Sequence, residues 1–219
     1  MMGNYSEPNH TIVIDCETVA GPLSAQERAE AEADIRSELV QEKAIQARLS
    51  KLDTGGALDH SRARIVSIAM YSCITDETYS VSDDSEAIVM AWFVKTMHDF
   101  AEIGLPNHRF AGFNILAFDL PLIAIALKRN GLALPGKRIG KWDCVDMMRE
   151  PFGKYWGNKP LNYYLRCFGI PAKTADGSEV HEMWLQDCAN NTKNVEEYCR
   201  QDVDRERQLY EALSGMYQL

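Results

Sequence analysis

Several features that mark common classes of protein are missing from this sequence of 219 residues. The six cysteines include no Cys-x-x-Cys pair and no histidine at zinc-ligand spacing, which argues against a zinc module or a disulfide framework. Apolar runs such as Leu122–Leu127 are far shorter than the roughly 20 residues that cross a bilayer. Residues 1–10 lack the basic start and apolar stretch of a signal peptide. We therefore expect a cytoplasmic protein with reduced cysteines and no membrane partner.

The composition is that of an ordinary globular protein. Hydrophobic residues make up 46% of the chain and charged residues 25%, so a full core can form without disulfides. We predict that residues 1–219 form one domain with a helical insertion at residues 22–62. Within that insertion, Ala25–Leu52 contains neither Gly nor Pro and is rich in helix-forming residues, which predicts one long helix or two shorter ones.

Strand and helix patterns alternate along the rest of the chain. Thr11–Asp15 is a short apolar, β-branched run that is typical of a buried strand. Interleaved strands and helices predict an α/β fold with a mixed five-stranded sheet flanked by helices. The other predicted strands are at 64–71, 77–81, 109–113 and near Arg138, and the other predicted helices are at 85–101, 118–130, 161–168 and 194–216.

Two acidic residues end the first predicted strand. Asp15 and Glu17 are two positions apart, so their side chains point to the same face of an extended chain. Because the chain has 32 acidic residues, about five such spacings are expected by chance. The pair alone is therefore explained better by a solvent-facing turn than by a site.

Three further residues have a suggestive spacing. Asp119 follows Asn114–Phe118 near a predicted helix start, where an isolated acid is favoured by the helix dipole. Tyr198 and Asp202 are four apart in the predicted C-terminal helix and share one face. About 0.6 such Tyr-Asp pairs are expected by accident, so this spacing is also weak by itself.

The order of these motifs is more specific than any one of them. Asp-x-Glu at 15–17, Asn-x-x-x-Phe-Asp at 114–119 and Tyr-x-x-x-Asp at 198–202 together resemble the three exonuclease motifs of the DEDD superfamily. The fold of that superfamily is ribonuclease H-like. The tyrosine subclass is indicated, because the histidine subclass has its histidine five residues before the last aspartate, where this chain has Glu197.

A further stretch narrows the resemblance. The segment 161–180 is similar to the stretch before the third motif in predicted exonucleases related to the proofreading domain of family B DNA polymerases. The resemblance covers residues 11–20 and about 108–213. It implies a 3′→5′ exonuclease that uses two Mg²⁺ or Mn²⁺ ions, which prefer oxygen ligands.

The resemblance also implies roles for individual residues. The expected metal ligands are Asp15, Glu17, Asp119 and Asp202. Tyr198 would orient the nucleophile, because a pKa near ~10 makes tyrosine a poor general base at neutral pH. Two carboxylates ~5 Å apart repel by roughly 3 kcal/mol at an effective dielectric of ~20. Four carboxylates in one site would therefore need bound cations to offset their repulsion.

Several other residues are candidates for contact with the substrate. Asn114 either touches the substrate or braces the second motif. Phe118 is also expected to contact the substrate. Asp143 either faces the cleft or is a turn acid paired with a nearby cation. Lys173 either contacts a phosphate or caps a loop.

The charge distribution bears on the partner. The net charge is −9, but residues 128–176 carry +6 and include aromatic residues such as Tyr155, Trp156, Tyr163 and Tyr164. Cations interleaved with aromatics suit single-stranded nucleic acid, and a solvated loop region with incidental charge explains this composition equally well. With the motifs added, we expect a nucleic-acid partner, DNA rather than RNA. The alternatives are an RNA-end trimming exoribonuclease with the same site, a non-catalytic nucleic-acid-binding module of this fold, and a metal-independent glycosidase with paired carboxylates.

Overall fold

A computed structural model describes residues 10–38, 41–103, 108–134, 143–149, 159–173, 179–186 and 192–217. Within these ranges the chain forms five strands and seven helices. They are β1 (Thr11–Ala20), α1 (Ala25–Glu38), α2 (Glu42–Thr54), β2 (Ala63–Ser72), β3 (Glu77–Ser82), α3 (Glu86–Glu102), β4 (Arg109–Gly112), α4 (Asp119–Arg129), β5 (Cys144–Asp146), α5 (Leu161–Cys167), α6 (Val180–Gln186) and α7 (Thr192–Tyr217). The predicted α/β class is confirmed.

The five strands form one mixed sheet in the order β3-β2-β1-β4-β5. β1 is central, antiparallel to β2 and parallel to β4. It pairs with β4 only over residues 11–13, while its pairing with β2 continues to Ala20. The second half of β1 therefore extends beyond the end of β4, which leaves one edge of this central strand open to other elements.

Helices cover both faces of the sheet. Ile12 and Ile14 pack on one face with Phe93 of α3 and Leu122 of α4, whereas Val13 packs on the other with residues of α5 and α7. The alternation follows from the period of two along a strand. A central strand that is buried on both faces is a rigid support for the side chains that it carries.

The insertion forms two helices, α1 and α2, with a 3₁₀ turn at Gly55–Leu58. Its base is closed by a hydrogen bond from the Gly21 backbone N–H to the Arg62 carbonyl, at 2.7 Å. A Cβ at Gly21 would lie 2.5 Å from that oxygen, so glycine permits this close approach. The Thr18 hydroxyl donates to the Ala57 carbonyl at 2.7 Å and ties the insertion to β1. The predicted helical insertion after the first strand is confirmed.

Two details differ from the sequence prediction. β1 does not end at Asp15 but runs on to Ala20, with a register shift between Glu17 and Thr18; the expectation that the carboxylates end the strand is wrong. β5 and α6 are additional elements, and the strand predicted near Arg138 lies outside the described residues. Among the described helices, none combines the length and apolarity needed to cross a bilayer, and no disulfide joins the cysteines in the described ranges.

Candidate functional site

The first two carboxylates project from the same face of β1. Oxygens of Asp15 and Glu17 and the sulfur of Cys199 all lie within 4.8 Å of one another. Cys199 is in α7, and its Sγ is 3.8 Å from Asp15 Oδ2. The two-residue spacing in β1 and the packing of α7 across that face therefore bring the first and third motifs together.

Asp119 approaches β1 along the edge that β4 leaves open. It is the first residue of α4 and only 4% exposed. Its Oδ1 accepts hydrogen bonds from the Cys16 backbone N–H at 3.3 Å and from the Cys16 thiol at 3.2 Å. The carboxylate thus pairs with a strand-edge N–H, which fixes Asp119 beside Asp15.

Tyr198 and Asp202 lie one turn apart on α7, as their spacing predicts. Asp202 is 1% exposed, and its Oδ2 forms an ion pair with the Lys173 ammonium. Lys173 Nζ also donates to the Tyr198 hydroxyl at 3.4 Å and lies 5.4 Å from the centre of its ring. These three residues form a compact group against the carboxylates of β1.

A backbone hydrogen bond fixes the position of Lys173. Its N–H donates to Asn162 Oδ1 in α5 at 2.7 Å. Its side chain is largely buried beside Asp202, so the ammonium is directed into the carboxylate cluster rather than toward solvent.

Burial and mutual repulsion shift the titration of the four carboxyl groups. Burial raises the pKa of Asp15 well above its usual range, and Asp119 and Asp202 raise it further. Burial raises the pKa of Glu17 in the same way, with Asp15 as its strongest repelling neighbour. Burial also raises the pKa of Asp119 to about 6, against the hydrogen bonds from Cys16.

The third motif shows the same effect. Burial raises the pKa of Asp202, although Lys173 opposes this shift. Burial alone would lower the pKa of Lys173, but the carboxylates of Asp15 and Asp202 outweigh it and raise that pKa. One lysine therefore compensates only part of the negative charge that the cluster carries when it is fully ionised.

The donor set fits divalent cations. Asp202 Oδ1 is buried and lacks a hydrogen-bond partner within the described part of the chain, and such an atom is costly unless a ligand satisfies it. Four carboxylates offer the oxygen ligands that Mg²⁺ and Mn²⁺ prefer. The nearby Cys199 thiol stays protonated because burial raises its pKa well above the ordinary value.

The residues predicted to contact substrate lie in different settings. Asn114 has a left-handed backbone, with φ of 63°, and opens the turn that leads to α4. The Phe118 ring lies 5.7 Å from the ring of His60, at the end of the insertion. Asp143 directly precedes β5. The substrate contacts of these residues stay predictions.

Part of the basic, aromatic segment has a structural role. Tyr164 is buried in the core, so its ring is not available to stack on nucleic acid as predicted. Arg129 pairs with the buried Glu86 at 2.6 Å, although its side chain stays exposed. Tyr163 is exposed and Lys173 lies in the cluster. Of the other cations and aromatics in the segment, the exposed residues are Lys128, Arg149, Lys159 and Arg166. Six more lie outside the described residues: Lys137, Arg138, Lys141, Lys154, Tyr155 and Trp156.

Two buried acids near the cluster were missed by the sequence prediction. Glu206 lies one turn after Asp202 on α7 and is 3% exposed. Asp146 ends β5 and is 1% exposed. The spacing of four residues from Asp202 was a usable signal for Glu206. Asp146 gave no such signal, because the strand that contains it was not predicted.

Comparison with solved structures bears on the fold. The chain is similar to the family B DNA polymerase of the hyperthermophilic archaeon Pyrobaculum calidifontis, with 17% sequence identity and a TM-score of 0.59. This match covers 94% of the present chain and 25% of the polymerase chain, so the chain spans about a quarter of the polymerase's length. The predicted ribonuclease H-like fold, with its resemblance to family B polymerases, is confirmed at the level of the fold.

A second solved structure also matches. The EXO domain of Nibbler from Aedes aegypti has 13% sequence identity to the chain and a TM-score of 0.49, with coverage of 96% of this chain and 80% of that domain. No protein-family model matches the sequence, and no curated protein matches it.

Proposed function

We propose that this chain is a metal-dependent 3′→5′ exonuclease that releases nucleoside 5′-monophosphates from single-stranded DNA. The observation that carries the proposal is the convergence of three separate sequence motifs on one cluster of buried carboxyl groups. Asp15, on β1, is the common neighbour: its pKa responds to Asp119 from the second motif and to Asp202 from the third. Such a cluster is costly to fold and is typical of a site built for cations.

The four acids of the motifs would hold two divalent cations, Mg²⁺ or Mn²⁺. Two such ions, when bound, activate a water molecule and stabilise the leaving oxygen of a phosphodiester. Asp15 would help to hold both ions, because it lies within 4.8 Å of Glu17 and Cys199 and its pKa responds to Asp119. Glu17 and Asp202 would hold the first ion, and Asp119 would support the second.

Tyr198 would position the attacking water rather than deprotonate it. Burial and the nearby Asp202 raise the pKa of Tyr198 above its ordinary value of 10. The hydroxyl therefore keeps its proton at neutral pH, where it can both donate and accept a hydrogen bond. A role in orientation needs no loss of that proton.

Lys173 would contact the phosphate backbone of the bound nucleic acid. Its ammonium lies between the Tyr198 hydroxyl and the Asp202 carboxylate, beside the position proposed for the attacking water. An ammonium there can contact a phosphate oxygen and offset charge that develops on it. Lys173 would make this contact in the loaded site, where bound cations would share the charge of Asp202.

Single-stranded DNA is the substrate that we propose. The resemblance to proofreading domains and the similar fold in a family B DNA polymerase support DNA. Asn114 and Phe118 lie in the loop that leads directly to Asp119, so they are suited to contact the terminal nucleotide.

The substrate class is tested by offering matched DNA and RNA oligonucleotides of one sequence, each single-stranded and each annealed to its complement. We expect the highest kcat/KM on single-stranded DNA in the presence of Mg²⁺. A higher kcat/KM on RNA would contradict the proposal of DNA and identify RNA as the preferred substrate. Binding without hydrolysis would identify a non-catalytic module, and hydrolysis unaffected by EDTA would contradict the metal-dependent mechanism.

A further inference from the structure

The loop 113–118 between β4 and α4 carries Asn114 and Phe118 and ends at Asp119. Its internal hydrogen bonds run from the Ala117 and Phe118 N–H groups to the Asn114 carbonyl, both at 3.1 Å. Three other N–H groups of the loop point to carboxyl groups from outside it. We propose that Asp146 and Glu206 are positioning residues that clamp this loop and thereby hold Asp119 in place for hydrolysis.

Asp146 supplies most of the clamp. Its Oδ1 accepts from the Asn114 N–H at 3.0 Å, and its Oδ2 accepts from the Leu116 N–H at 3.3 Å. Oδ1 also accepts from the Met148 N–H at 3.1 Å, which ties the end of β5 to the same carboxylate. Asp146 thus replaces the strand pairing that β4 and β5 lose when β4 ends at Gly112.

Glu206, on α7, completes the clamp. Its Oε2 accepts from the Phe113 N–H at 3.2 Å. Because Glu206 lies one turn after Asp202 on α7, it connects the helix of the third motif directly to the loop of the second. A shift of the loop would therefore displace residues of both motifs.

The left-handed conformation of Asn114 explains why a clamp is needed. A non-glycine residue with φ of 63° persists where the surrounding structure fixes it. The N–H groups of Phe113, Asn114 and Leu116 are all bound by the two acids, so the clamp encloses this residue. Burial of two carboxyl groups for this purpose is costly unless their hydrogen bonds are made.

The consequence for chemistry rests on the proposed function. Asp119 follows the loop without an intervening residue and is fixed on its other side by Cys16. Catalytic groups must be held within about 0.5 Å of their productive positions, and a displacement of about 1 Å can cost roughly 10²-fold in rate. Loosening of the clamp should therefore lower turnover while the strand still binds.

The first test uses Asp146→Asn, with the exposed Asp99→Asn on α3 as a matched control. An asparagine replaces one acceptor oxygen with an NH₂ group that opposes a loop N–H. We expect amide hydrogen exchange in residues 113–118 to rise at least about tenfold, kcat to fall roughly 10²-fold, and KM to change little. Exchange and kcat equal to those of Asp99→Asn would overturn the proposal.

A second pair of variants keeps the test decisive if Asp146→Asn does not fold. Glu206→Gln retains an oxygen that can accept from Phe113, whereas Glu206→Leu removes it. We expect the glutamine variant to keep slower exchange in the loop and a higher kcat than the leucine variant. Equal values for the two would overturn the clamp.

A third measurement isolates the effect on Asp119. Mn²⁺ binding is titrated in Asp146→Asn, Asp119→Asn and the double variant. We expect Asp146→Asn to weaken one of the bound ions and to have no further effect when Asp119 is already replaced; additive losses would overturn the link to Asp119. A wild-type chain without hydrolytic activity would overturn the proposed function alone, because the exchange data decide the clamp independently.

Discussion

The Lys173 ammonium forms an ion pair with the Asp202 carboxylate at the point where the acids of three motifs meet. The same lysine acts on Asp15 and Glu17, whose raised pKa values it partly lowers. The single positive charge of Lys173 thus offsets part of the repulsion among the carboxylates in the metal-free protein, and part of that repulsion remains. This relationship leads to predictions for stability as well as for catalysis.

Lys173→Met should destabilise the metal-free protein. Removal of one partner of a buried ion pair typically costs about 3–5 kcal/mol, and the remaining acids would repel one another more strongly. We expect a lower Tm in EDTA and a larger increase of Tm on addition of Mg²⁺ than in the wild type. The control is Lys95→Met, which removes an exposed lysine paired with Asp99; the account is contradicted if the two variants melt alike in EDTA.

Asp15→Asn should abolish hydrolysis and stabilise the metal-free fold. At pH 8 the buried carboxyl of Asp15 is unfavourable whether it is ionised or holds its proton, and asparagine avoids both states. Because burial and the neighbouring carboxylates raise its pKa in the folded state, we expect the substitution to increase the free energy of unfolding in EDTA. Activity should fall at least about 10³-fold with the loss of a metal ligand.

Chemical denaturation in EDTA and a hydrolysis assay in Mg²⁺ measure the two effects of Asp15→Asn. Asp99→Asn serves as the control that should change neither. A variant that loses both stability and activity would show that Asp15 acts through the fold and not as a metal ligand.

Tyr198→Phe should slow turnover and preserve metal binding. The substitution removes the hydroxyl that would orient the water but leaves the ring beside Lys173. We expect kcat to fall about 10- to 100-fold, with Mn²⁺ affinity within about twofold of the wild type. An unchanged kcat would exclude the role proposed for Tyr198.

The pH dependence follows from the carboxyl groups of the cluster. Burial raises the pKa of Asp119 from its ordinary 3.8 to about 6. Between these values the folded state binds a proton that the unfolded chain releases, so this stabilising contribution is complete below about pH 4 and is lost as the pH rises through about 6. Metal binding has the opposite trend, because only the ionised carboxylate holds a cation.

Thermal melts between pH 4 and 8, with EDTA and with Mg²⁺, check this prediction. We expect the difference in Tm between the two conditions to grow as the pH rises through about 6. Asp119→Asn should reduce that growth, and a difference that is constant across the range would contradict the assigned role of Asp119.

Much of the fold and the motif residues of the site could be predicted from sequence. The apolar, β-branched run that begins at Thr11 identified β1, and the i, i+4 spacing placed Tyr198 and Asp202 on one face of α7. The order of the motifs then indicated a common site for residues that are more than a hundred positions apart. Their proposed roles await experiment.

What was missed depends on tertiary context. β1 continues past Asp15 because β2 still pairs with it to Ala20, which local propensity does not reveal. Asp146 is the last residue of a strand of only three residues, which is too short to show a periodic pattern. Tyr164 is polar in part and lies in a basic segment, yet it packs in the core because α5 turns it toward α7 and the sheet.

The central claim is tested most directly by following single-stranded DNA oligonucleotides labelled at either end, with Mg²⁺, Mn²⁺ or EDTA. The account predicts a ladder of progressively shorter 5′-labelled products and early release of a labelled mononucleotide from the 3′-labelled strand. It also predicts that EDTA and Asp15→Asn both prevent these reactions. Release that begins at the 5′ end, cleavage in EDTA, or full activity of Asp15→Asn would contradict it.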